Sequence, residues 1–156
     1  MLHCNLDLDN VMVYKTPFGG EHFKLVNFDN ARLVGSEVHP VFNSPKDRKE
    51  PIVSPEIADT PHDAKRKPEL SPAADIWSLG VLCFILRTAC LPMNREKSNS
   101  AKATQAPDGT TKAPNKFDVD GIINSPQYGK IFDEDQRDFL IKCMQLDPAK
   151  RATADE

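Results

Sequence analysis

At 156 residues the chain has room for one domain, and 39% hydrophobic residues supply a modest core. Lys plus Arg total 20 against 23 Asp plus Glu, and no basic stripe follows one face of a predicted helix, so nucleic-acid binding gets no support. The longest apolar run, Ile76 to Leu86, is broken by Ser78 and falls far short of the roughly 18 residues of a membrane span; no secretory leader opens the chain, which makes a cytosolic or nuclear protein the expectation.

In chain order, Val11 to Tyr14 and Phe23 to Val26 have strand character, and Pro17, Gly19 and Gly20 between them predict a hairpin with a long loop. Residues 29 to 72 are polar and rich in proline and charge, without helical period, and are expected to be extended loop. A helix starting at Asp75 carries apolar side chains on nearly every side, which predicts burial all round. Residues 94 to 116 hold no aromatic or branched aliphatic side chain and are expected to form a disordered insertion. Helices are predicted near Val119 to Ile123 and from Glu134 to Gln145, the second amphipathic with Phe139, Leu140, Cys143 and Met144 on one face. Cys4, Cys83, Cys90 and Cys143 have no Cys-x-x-Cys or zinc-ligand spacing and read as buried thiols of a reducing compartment.

The segment His3-Cys4-Asn5-Leu6-Asp7-Leu8-Asp9-Asn10 resembles the protein-kinase catalytic loop H-R-D-L-x-x-x-N, and the hairpin follows it at once. Downstream, Asn27-Phe28-Asp29 stands where D-F-G would, and Ser54-Pro55-Glu56 where A-P-E would close an activation segment, here residues 27–56. Asp75-Ile76-Trp77-Ser78-Leu79-Gly80 is similar to the start of the family's buried central helix, Leu91-Pro92-Met93 to the turn after it, and Leu146 to Ala154 to its closing D-P-x-x-R segment. The resemblance implies an α+β, mainly α-helical fold: a partial kinase large lobe over residues 1–156 with a short β-hairpin beside the catalytic loop. Only two residues precede His3, so the small lobe is expected to be absent, as is the last helix beyond Glu156.

Cofactors, if any, would be the family's ATP and magnesium. The resemblance puts Asn5 at the catalytic-base position, where an ionised carboxylate is needed, and Asp7 at the position of a lysine near the transferred phosphoryl group. Asn10 and Asn27 fall at metal-ligand positions, with Asp29 two residues on as a conceivable replacement ligand. Met12, Leu82 and Leu86 match the floor under adenine. Cys4 replaces the arginine that pairs with activation-segment phosphate, so phosphorylation at Ser36 or Ser44 would lack its usual partner. His3 and Phe28 match an apolar spine, Asp75 a cap on the catalytic-loop backbone, and Glu56 with Arg151 a buried ion pair.

Three readings are open from these residues. One is a pseudokinase segment acting as a protein-binding or regulatory module, its partner unnamed, with neither nucleic acid nor membrane involved. Another is a serine/threonine kinase active only with an N-terminal lobe supplied. The last is a truncated product without function, the Ile76 to Leu86 helix left with an open apolar face.

Overall fold

The computed structural model describes residues 1–37, 52–58, 69–92 and 117–155. The expected insertion at 94–116 and much of the activation segment, Ser44 included, lie outside the described residues.

Strands β1 (Val11–Lys15) and β2 (Glu21–Leu25) form an antiparallel hairpin in the register Val11 to Leu25 and Lys15 to Glu21. The predicted second strand begins two residues late. Its true start is held by cross-strand partners that an apolar alternation does not show: Tyr14 stacks on His22 with ring centroids 5.3 Å apart, and Lys15 pairs with Glu21 at 3.5 Å. Thr16 and Gly20 close the loop, the Thr16 amide donating to the Gly20 carbonyl at 2.8 Å, with Gly19 at φ +86°.

The stretch expected to be all loop contains one helical turn, α1 (Pro55–Ala58). Helix α2 (Ala73–Thr88) starts two residues before Asp75 because Ser71 and Pro72 already supply carbonyls to Ala74, Asp75 and Ile76. It ends at Ala89, which turns left-handed at φ 53° while its amide donates to Ile85 at 2.7 Å. Trp77, Val81 and Phe84 face inward, but the all-round burial expected of this helix fails in its last turn, where Leu86 is 67% exposed. Among the described residues, no neighbouring side chain covers that side fully.

Helix α3 (Val119–Ile123) is capped by Asp118, whose carboxylate accepts the Gly121 amide at 3.0 Å. Helix α4 (Glu134–Cys143) opens with a capping box between Asp133 and Gln136. It stops two residues before the predicted end at Gln145, whose carbonyl instead accepts from Arg151 Nε at 2.9 Å. Phe139, expected on the packed face, is 42% exposed.

The main core joins Trp77, Val81 and Phe84 of α2 to Val119, Ile122 and Ile123 of α3, to Leu140 and Met144, and to Tyr128 and Phe132. A smaller cluster of Leu2, Ile57, Leu70 and Ala74 sits under the catalytic-loop-like segment. Helices α2 and α4 meet at Gly80, where an added Cβ would lie 2.7 Å from Cys143 Cβ and 2.9 Å from Met144 Cγ. Gly80→Ala is therefore expected to lower stability by about 1–2 kcal/mol, the overpacking outweighing a gain in helix propensity of roughly 1 kcal/mol. Urea titration at matched m-values measures it; an unchanged or raised midpoint contradicts the close contact.

Candidate functional site

The site is built where the first ten residues meet the strand exit at Val26 and the start of α2. Asp75, in the first turn of α2, accepts the His3 amide at 2.7 Å and the Cys4 amide at 2.9 Å, one on each carboxylate oxygen. A helix N-terminus favours that charge. The clamp also holds Cys4 at φ 60°, a left-handed conformation that costs a non-glycine residue about 1–3 kcal/mol. Asp75→Asn puts an amide NH₂ against one of these N–H groups. A loss of about 1–2 kcal/mol is expected, read by thermal melting; no change would mean that the clamp does not hold the loop.

His3 is buried, its Nε2 lies 3.0 Å from the Val26 carbonyl, and its ring meets Phe28 edge-on at 4.7 Å. Its Nδ1 is buried without a hydrogen-bond partner among the described residues. That is a packing and tethering role. Leu2 and Arg32 exchange backbone hydrogen bonds of 2.7 and 3.0 Å, joining the chain start to the segment after Phe28.

Between these supports run three asparagines. Asn10, buried at the end of a 3₁₀ turn, donates from Nδ2 to the Asn5 carbonyl at 2.8 Å and accepts on Oδ1 from Asn27 Nδ2 at 3.1 Å. Asn27 is exposed and left-handed at φ 64°, a conformation asparagine tolerates. The Asn5 side chain takes no part in this ladder. Asp7 turns its carboxylate to the Leu8 amide at 2.7 Å. Asp29 sits in the exposed turn Phe28–Asn30, and the ladder does not include its carboxylate.

Cys4 carries no charge at neutral pH. Burial, reinforced by the Asp75 carboxylate, pushes its thiol up to about 11 against the opposing effect of Arg32. Burial and then Cys83 push Cys143 to about 11 as well. Of the four cysteines expected to be buried thiols, only Cys143 is fully so; the others are partly exposed, and all are free. Relative to an ordinary thiol at 9.0, Cys4 is expected to hold roughly 100-fold less thiolate at pH 8, and to alkylate correspondingly slowly with iodoacetamide. Since the folded state resists losing these protons, their contribution to stability is full below about pH 9 and is lost as pH rises toward 11. Fast labelling of Cys4 in the native chain contradicts this.

Behind the site, Arg151 grips Glu56 with both arms, Nη1 to Oε1 at 2.8 Å and Nη2 to Oε2 at 2.9 Å. Its side chain is wholly buried, and Nη1 also reaches the Ala73 carbonyl at 2.6 Å at the head of α2. Of the adenine-floor residues, Leu82 is buried, Met12 on β1 is 52% exposed, and Leu86 lines a groove of about 440 Å³ with Phe132, Phe139 and Leu140. Met12 does not line that groove.

The family model of the protein kinase domain matches residues 1–156. The chain belongs to the protein kinase domain family. It is similar to mitogen-activated protein kinase kinase kinase 20 of Arabidopsis thaliana, 25% identical over 98% of this chain and 39% of that protein. Death-associated protein kinase dapk-1 of Caenorhabditis elegans is 26% identical, over 100% of this chain and 9% of its own length. The C. elegans twitchin kinase region superposes with a TM-score of 0.50 at 23% identity, covering 97% of this chain and 23% of that one, which supports the fold. The chain thus spans well under half the length of these relatives. No helix among the described residues is long and apolar enough to cross a membrane.

Kinase domains in general use ATP and magnesium, and the residues in this cleft do not fit the metal. A hard divalent cation needs converging oxygens, preferably anionic. Here the Asn10 oxygen is taken by an N–H of Asn27, so the two positions present one oxygen and one donor to each other. In the sequence Asn10 and Asn27 stand as separate ligand positions, and their pairing emerges only in the fold. The available signal was that one amide can donate to the other, as two carboxylates cannot.

Proposed function

We propose that this kinase domain is catalytically inactive and serves as a protein-binding or regulatory module. The observation that carries the reading is the set of neutral side chains at the positions the family uses for base and metal: Asn5 at the base position, and Asn10 and Asn27 at the metal positions, hydrogen-bonded to each other. A general base in this chemistry contributes roughly 10²–10⁴-fold, and an amide cannot take the proton. The framework, by contrast, is kept: the Asp75 clamp, the His3 and Phe28 contact and the Glu56 and Arg151 pair hold the loops in place without chemistry. Exposed apolar side chains at the groove, Leu86 and Phe139 among them, support the binding half of the proposal.

The test is transfer of labelled γ-phosphate from magnesium ATP to peptide and protein acceptors by the purified chain, with and without a kinase small lobe supplied in trans. Incorporation at the level of a protein-free blank is expected in both arms. Metal-dependent transfer that disappears in Asp29→Asn or Asp9→Asn would overturn the reading in favour of an enzyme with a displaced carboxylate.

A further inference from the structure

We propose that the Asn27, Asn10 and Asn5 ladder closes this cleft to divalent cations, and that the hydrogen bond from Asn27 to Asn10 is what shuts it. The ladder has a fixed polarity. Asn10 Nδ2 is committed to the Asn5 carbonyl, so its Oδ1 faces Asn27 and must find a donor there; Asn27 Nδ2 supplies it at 3.1 Å. The carbonyl oxygen of Asn27 is consequently turned away from the Asn10 oxygen. A magnesium ion entering here would have to break that bond, reverse the amide and shed water for two neutral oxygens, and magnesium dehydrates reluctantly.

An aspartate at position 27 reverses each of these terms. It keeps the size of asparagine and tolerates the left-handed backbone at φ 64°. One carboxylate oxygen would then face Asn10 Oδ1 at a spacing near the present 3.1 Å. Two acceptors so placed repel unless a cation joins them. Oxygens on adjacent corners of a magnesium octahedron, about 2.05 Å from the ion, lie about 2.9 Å apart, so the spacing suits the ion. Asn27 is exposed, which leaves the remaining corners to water.

The inference goes beyond catalytic inactivity. A chain that bound magnesium and still failed to transfer phosphate would sink it and leave the proposed function standing.

The experiment is a thermal melt of the full chain and of Asn27→Asp in about 10 mM MgCl₂, against NaCl of equal ionic strength. The wild type is expected to shift by less than about 1 °C. The variant is expected to melt lower without the metal and to gain roughly 3–6 °C with it, as a site of Kd near 1 mM would give in a chain this size. Asn10→Ala in the Asn27→Asp background should abolish the gain. Should the variant fail to fold, ¹⁵N side-chain amide resonances of Asn10 and Asn27 in the wild type decide the closure: they are expected to stay put on MgCl₂ titration. A magnesium-specific shift of those resonances or of the wild-type melt overturns the closure, and a folded variant without magnesium response overturns its assignment to the Asn27 to Asn10 hydrogen bond.

Discussion

Arg151→Met is expected to lower the unfolding free energy by about 3–5 kcal/mol. The guanidinium is wholly buried and saturated with acceptors: both oxygens of Glu56, the Ala73 carbonyl and, through Nε, the Gln145 carbonyl. Methionine fills similar volume but supplies no donor, so the Glu56 carboxylate, only 20% exposed, and the carbonyls of Ala73, Gln145 and Leu146 lose this donor together. Trp77 loses the cation 5.2 Å above its ring as well. Arg151→Lys should recover little, because one ammonium cannot reproduce the fork. Pairing Arg151→Met with Glu56→Met should cost less than Arg151→Met alone, since no carboxylate is then left without the guanidinium charge. Urea unfolding of the three variants gives the answer; a loss below about 1 kcal/mol for Arg151→Met would mean that the pair is solvated in solution.

Phe84→Ala is expected to cost about 3–5 kcal/mol. Its ring is 0% exposed and lies between Tyr128, met edge-on at 5.1 Å, and Phe132 at 5.4 Å. Those two residues belong to the segment linking α3 to α4, so the cavity would open where three parts of the core converge. Leu86→Ala, two residues on along α2 but 67% exposed, should cost less than about 1 kcal/mol. Equal losses at the two positions would contradict the one-sided burial of the helix.

Much of the framework was legible in the sequence. Apolar spacing located α3, α4 and both strands within about two residues, since periodicity reports which face is buried. The end of α4 was misread because Gln145 and Leu146 give their carbonyls to an arginine that lies beyond Pro148. No local pattern carries that. The exposure of Leu86 was illegible for a related reason: composition says a helix is apolar all round, while burial depends on which neighbours cover it. Glu56 and Arg151 are 95 residues apart and were matched only through the family's motifs. At the candidate site, the residue types announced the missing carboxylates. Their mutual pairing required Asn10 and Asn27, 17 residues apart, to be brought together by the hairpin, with Val26 donating to the Asn10 carbonyl at 3.0 Å.

The Asp75 clamp also bears on the order in which the molecule forms. It bridges 72 residues to His3 and 71 to Cys4, whereas α3, the turn through Tyr128 and α4 are close in sequence and pack on one another locally. Long loops close late, because their entropy is lost before any contact rewards it. The contacts of α3, that turn and α4 are therefore expected to form before the clamp, and the asparagine cleft to take shape when the chain's first residues dock onto the head of α2.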